Sequence, residues 1–319
     1  KPVNSAGATA ISGQQKPSTF DQAARVFDGW DDPQTGLRVL KVATNDRAVC
    51  PLVPAGGTWT TLYHQCRCFM DGGRKVFLYG HPPNGSNPTD PKRRGGQFLM
   101  DLTSGEVSAP LPRNCWVSAV SDASGMAALT RRQEAEREAV LWDLRHAEPR
   151  CTFRVPGWSL SACTLLADGR RMVAGFHTGL WRGGRCHSQH FLVHADGHTE
   201  QTLDADGYLC NHAVSCPADP DLYAYDRWPT PDRTVEVVIH IRRADGSFET
   251  PLPLLDNTVR PGPLMECNRD HYVWTPDGTR IASYLLPQAE DLTTNHYTYR
   301  WWISVTDWRS GEDLCVPYP

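Results

Sequence analysis

A phrase that returns five times along this 319-residue chain limits it to a repeat architecture. Each copy begins with a short run of polar, aromatic or small residues, continues to a tight Asp-Gly-like turn, and ends in an apolar strand. The copies run from Tyr63-His64-Gln65 to Asp71-Gly72, from Asn114-Cys115-Trp116 to Ser124-Gly125, and from Gly157-Trp158-Ser159 to Asp168-Gly169. The last two run from Asn211-His212 to Asp219-Pro220 and from Asp270-His271 to Asp277-Gly278. Successive turns are roughly 43 to 58 residues apart, the period of a propeller blade. The expected fold is therefore an all-β propeller with five blade-like units. Propellers set the first strand of each blade around a central channel, so the residues just before these turns are the place to look for chemistry.

Other punctuation fits the same unit. Val76-Phe77-Leu78-Tyr79 and Ile281-Ala282-Ser283-Tyr284 have the composition of apolar second strands. Hairpins between third and fourth strands are expected at Leu99 to Glu106 and at Val305 to Glu312, with equivalent turns at Ala195-Asp196-Gly197 and Ala244-Asp245-Gly246. Residues 1–35 read as an N-terminal extension, with a short helical turn near Phe20 to Val26 capped by Asp21, and residues 36–319 as the propeller domain. Arg131 to Val140, rich in Glu and Arg, is the one stretch with helical character, although the repeat calls for a charged hairpin there. Long loops are expected at 81–96, 178–189, 226–234 and 286–298. Trp142-Asp143 matches the dipeptide of one large propeller family, but a single copy without its Gly-His companion does not establish that scaffold.

Composition narrows the function. A formal charge of -4 gives no electrostatic reason to expect nucleic acid or an anionic membrane. No apolar run reaches the ~18 residues of a membrane-spanning helix. Lys1 to Gln15 lacks a signal-peptide core, and a cytoplasmic or periplasmic location is expected. The 11 cysteines sit mostly in apolar phrases, as buried free thiols do. Cys66 and Cys68 share a strand face, but their spacing is wrong for a zinc knuckle.

Three histidines, His64, His212 and His271, occupy first-strand positions. Arg269 precedes His271 by two residues, and Arg227 and Arg233 follow the His212 unit in an expected loop. A neutral imidazole near pH 7 is a natural general base. An arginine can grip a carboxylate and stabilise developing negative charge. Together they suit removal of a proton from a carbon beside a carboxylate. Each also has a plain structural alternative: a hydrogen-bonded strand histidine, or a surface ion pair for Arg227 and Arg233. Trp274 and Phe69 are expected to pack between blades. Trp301-Trp302 is expected to place one ring in the core and one at the surface.

At these residues the chain resembles the oligogalacturonate lyase family. Asp31-Asp32-Pro33-Gln34-Thr35-Gly36 with Val39 to Val42 resembles its first strand, and Tyr63 to Phe69 its first channel strand. Asn211-His212-Ala213-Val214-Ser215-Cys216-Pro217 resembles its Gly-His-Pro segment. His271-Tyr272-Val273-Trp274-Thr275-Pro276-Asp277-Gly278 carries the family's His-x-x-Trp-x-Pro-Asp-Gly spacing. The resemblance implies β-elimination on short uronides from pectin, with His271 as the base at C5 and an arginine near Arg233 assisting. His212 resembles a channel histidine of the family, and His64, His212, Arg227 and Arg269 are expected as substrate contacts. The resemblance also implies a divalent metal, usually manganese, on the uronate carboxylate. Two departures accompany it. Arg227 stands where the family tends to place a histidine. The family has seven blades and carries its metal ligands, three histidines and a glutamine, after the unit of His271, so the last two blades and those ligands have no match here. The partner implied is an acidic oligosaccharide. The alternatives are a non-catalytic propeller that binds an acidic glycan or protein, and a lyase for a glucuronate-containing glycan, which the Arg- and His-rich segment Arg182 to His190 would also fit.

Overall fold

A computed structural model of the chain describes residues 28–33, 36, 38–41, 58–61, 67–81, 96–112, 114–133, 136–178, 186–229, 238–252, 267–287 and 302–317. Every regular element among them is a strand. They form a five-bladed β-propeller arrangement of antiparallel sheets, and none of them forms a helix long and apolar enough to cross a membrane.

Blade 1 is built on Lys75–His81, which pairs with both Thr58–Thr61 and Phe69–Met70 and continues to Gly96–Asp101 and Val107–Ser108. Blade 2 comprises Cys115–Ser121, Met126–Gln133, Glu136–Asp143 and Glu148–Phe153. Blade 3 comprises Ser159–Leu165, Arg171–Thr178, His187–His194 and Thr199–Asp206. Blade 4 comprises Tyr208–Ser215, Leu222–Pro229, Val238–Arg243 and Glu249–Pro251. Blade 5 comprises Cys267–Trp274, Arg280–Pro287, Trp302–Asp307 and Asp313–Pro317. A separate two-stranded hairpin, Asp28–Asp31 with Arg38–Lys41, straddles the boundary expected at residue 36.

Alternation along a strand explains the core. Side chains point to opposite faces in turn, and a blade lies between two neighbours, so both faces are buried. In the third strand of blade 2, Ala139 and Leu141 pack toward blade 3 with Leu160, Met172 and Phe176. Val140 and Trp142 pack the other way, with Phe77 of blade 1. Tyr223 and Tyr225 join Val173 and Leu192 between blades 3 and 4, and Tyr272, Trp274 and Ile281 join Val214 and Ile241 between blades 4 and 5. The turns repeat one chemistry: an aspartate accepts backbone N–H bonds from the residues that follow it. Asp101, Asp143, Asp245 and Asp307 do so between third and fourth strands, and Asp168 and Asp277 between first and second. Trp142-Asp143 thus closes a local turn, in which Asp143 also accepts from Arg150 at 2.6 Å.

Several expectations are corrected. Arg131 to Val140 is the charged hairpin the repeat called for, because its two faces extend the core rows of both strands, and Arg131 pairs with Glu138 across it. Arg227 lies in the second strand of blade 4 rather than in a loop, and His190 in the third strand of blade 3 is fully buried. The strands thus run past the loop boundaries expected at 226, 286 and 189. Trp274 does pack between blades, but Phe69 is 59% exposed. The turn near Phe20 to Val26, Cys66 and Trp301 lie outside the described residues, as does the side chain of Trp302. The cysteines whose side chains are described are free thiols, five of them buried.

Candidate functional site

The first strands of four successive blades share one irregularity. Each carries a β-bulge with one extra residue against its partner strand. The bulge falls at Ser118 in blade 2, at Ser161 in blade 3, at His212-Ala213 in blade 4 and at His271-Tyr272 in blade 5. Bulges re-aim side chains and recur beside active sites. Ser118, Ser161, His212 and His271 are all partly exposed, each followed by a buried residue, as expected for a row of residues around a channel. His212 and His271 also share the left-handed conformation, each with φ of 52°. A residue with a Cβ holds that conformation at a cost of about 1–2 kcal/mol, so the surrounding structure must impose it.

The surroundings do so through hydrogen bonds between neighbouring first strands. Tyr272 Oη donates to the carbonyl of His212 at 2.6 Å, and Trp274 Nε1 to that of Val214 at 3.0 Å. Ser161 Oγ donates to the carbonyl of Cys210 at 2.8 Å.

His212 has a further partner that the sequence did not advertise. Asp226, in the second strand of blade 4, is fully buried. Its Oδ2 lies 2.7 Å from His212 Nδ1 and accepts from Trp228 Nε1 at 2.8 Å. A carboxylate can only accept, so Nδ1 carries the proton and, in the neutral ring, the lone pair lies on Nε2. The other oxygen, Oδ1, is buried with no hydrogen-bond partner among the described residues. A signal was present in Leu-Tyr-Ala-Tyr-Asp-Arg-Trp: an acid inside an apolar second strand needs a buried partner.

The remaining expected site residues are distributed as follows. Arg227 points to the face opposite Asp226. Its guanidinium sits 3.9 Å from the centre of the Tyr208 ring and 3.9 Å from Glu249. Arg269 lies in the first strand of blade 5, opposite Leu285. His64 and Arg233 lie outside the described residues.

Two further features escaped the sequence. Arg67 pairs through its backbone with blade 2, while its guanidinium reaches past that blade to the carbonyl of Leu165 in blade 3. Leu165 ends its strand beyond the Ser161 bulge, so Arg67 ties blade 2 to blade 3 at the end away from the strand starts. Burial pushes its pKa down. In blade 4, Glu249 Oε1 accepts from Tyr225 Oη at 2.9 Å and lies 2.8 Å from His240 Nδ1, while Oε2 accepts from Arg242. Burial alone would raise Glu249, but these partners hold it down at about 2. Beside this cluster His190 Nδ1 lies 3.0 Å from Tyr223 Oη, and burial and the Arg242 charge lower the imidazole to about 3.

No group of three or more His, Cys, Asp or Glu that could hold a metal ion occurs among the described residues. The manganese implied by the resemblance thus finds no donor set in that part of the chain.

No protein-family model and no curated protein matches this sequence. Solved structures do resemble it. An oligogalacturonate lyase from Vibrio parahaemolyticus superimposes with a TM-score of 0.62 at 14% identity, over 92% of this chain and 72% of that one. The β-propeller domain of the Trilobed protease from Pyrococcus furiosus, with open velcro topology, gives 0.54 at 11% identity, over 91% and 74%. A putative TolB from Agrobacterium tumefaciens gives 0.48 at 11%. At these identities the likeness is one of fold, and the chain is a β-propeller similar in architecture to a lyase and to a peptidase propeller.

Proposed function

We propose that this propeller is a lyase that cleaves uronic-acid oligosaccharides of the oligogalacturonide type by β-elimination. The observation that carries the reading is the matched pair of histidines, His212 and His271. They stand at equivalent bulges of neighbouring channel strands, in the same left-handed conformation, with His212 held by a buried aspartate.

The chemistry asks for a base beside the acidic carbon of a sugar carboxylate. His271 takes the C5 proton, and the C5–H electrons become the new C4=C5 double bond. The C4–O4 bond breaks, and the leaving oxygen is protonated by the imidazolium or by water. A positioned base contributes about 10²–10⁴-fold. Asp226 fixes the His212 ring, so that Nε2 rather than Nδ1 meets the substrate. Arg233 and Arg227 are the proposed grips for the uronate carboxylate, with His64 and Arg269 as further contacts. Manganese, when bound, would make the C5 proton more acidic.

The test is incubation with digalacturonate and trigalacturonate, with and without manganese, following the ultraviolet absorbance of the unsaturated product and its mass. Unsaturated product that disappears in His271→Ala supports the lyase. Full activity in that variant would sink the assignment of the base. Binding without product would make the protein a glycan-binding propeller instead.

A further inference from the structure

A cleft of about 500 Å³ opens between blades 2 and 3, at the end of the propeller where the first strands begin. Its walls include Glu136, Arg137, Trp158, Ser159, Leu160 and His177. Alternation puts Arg137 there: it continues the row of Leu141 and Ala139, which faces blade 3. Directly across the hairpin on the same face stands Arg132. Both arginines are exposed, and neither has an acidic partner among the described residues. Like charges directly opposite each other destabilise a sheet, so this pair is an unbalanced positive element. The acid in the cleft wall, Glu136, is matched with Arg154 at 3.0 Å.

The opposite wall is aromatic. Trp158 is partly exposed, packs at its base on the core between blades 2 and 3, and is flanked by His187 at 5.2 Å. Burial lowers the pKa of His177, so this imidazole contributes hydrogen bonding rather than charge. The cleft also adjoins the channel. Ser159 is two residues before the channel residue Ser161, whose hydroxyl reaches the strand of His212.

From this geometry we propose that the cleft is a binding subsite for a sugar acid, with the carboxylate on Arg137 and Arg132 and the ring against Trp158. A planar guanidinium matches a carboxylate, an indole offers a flat apolar face to the C–H side of a sugar ring, and Ser159 supplies a hydroxyl. The subsite is separate from the His212–His271 pair and would hold a residue of an acidic oligosaccharide that does not react. It depends on the lyase reading only for the choice of probe.

The test uses galacturonate, a monomer with no bond to cleave, so its outcome does not depend on turnover. The protein is labelled with 5-fluorotryptophan, and the Trp158 fluorine resonance is identified by its absence from Trp158→Phe. Galacturonate should shift that resonance saturably, and neutral galactose should not. Arg137→Gln should weaken the galacturonate response about tenfold or more, and His271→Ala should leave it in place. An equal response to galactose, no saturable response, or unchanged affinity in Arg137→Gln would overturn the proposal. Loss of the response in His271→Ala would move the binding to the channel and overturn it as well.

Discussion

His212 Nδ1 lies 2.7 Å from Oδ2 of Asp226, a carboxylate with no exposure to solvent. The two residues come from adjacent strands of blade 4 and meet where the bulge turns the imidazole. The pairing sets which ring nitrogen faces the channel, and Trp228 on the same oxygen fixes the carboxylate in turn.

Asp226→Asn tests this positioning. The amide nitrogen cannot accept, and the amide oxygen serves both Trp228 and His212 less well than a carboxylate. The proposed lyase activity is expected to fall by about 10²-fold or more, and the downfield Nδ1 proton of His212 should vanish from the nuclear magnetic resonance spectrum. Activity lost with that proton unchanged would assign Asp226 a merely structural role. Asp226→Ala, which strands both donors, should lower stability by about 1–3 kcal/mol in urea.

The left-handed backbone at His271 makes a counterintuitive prediction. His271→Gly should be more stable than His271→Ala by about 1 kcal/mol, because glycine adopts φ of 52° without a Cβ penalty. Glycine ordinarily weakens a strand, so the reverse order in chemical denaturation would show that the conformation is not imposed.

Glu249 links stability to acid. Its folded pKa of about 2 lies below the ordinary 4.5, so its contribution is complete above 4.5 and is lost as pH falls from there toward 2. Melting temperature should drop across that window. Glu249→Gln should be less stable at neutral pH and should flatten that part of the profile; an unchanged slope would refute the assignment.

His190 acts in a higher window. It stays neutral in the fold down to about 3, whereas the unfolded chain protonates it near 6.5. Stability is therefore retained above 6.5 and declines as pH falls below it. Its packing is tight: a Cβ at Gly175 would stand 2.8 Å from His190 Cδ2 and 3.0 Å from Ala162 Cβ. Gly175→Ala should cost about 1–3 kcal/mol by overpacking, read as a lower urea midpoint.

Arg67 should behave as a strut between blades 2 and 3. Arg67→Ala should destabilise by about 1–3 kcal/mol through loss of the charged donor to Leu165. Arg67→Met, which fills the space without a buried charge, should cost less. Equal losses in the two variants would argue against burial as the governing effect.

The sequence alone determined the repeat. Turn aspartates, Asp-Gly turns and strand alternation are short-range signals, since each acts within a few residues, and they located the blades and put His212 and His271 in phase. The same local evidence left Arg131 to Val140 open between helix and hairpin, because charge content is similar in either and only the two neighbouring blades select the strand. It also put Arg227 in a loop and Phe69 in the core, where strand length and blade contacts decide. Tertiary structure alone revealed the bulge at four equivalent positions, the Asp226 carboxylate behind His212, the reach of Arg67 to Leu165 and the cleft beneath Trp158. Each of these joins residues on different strands or blades, and the geometry of a side chain across that gap is set by packing rather than by any local pattern.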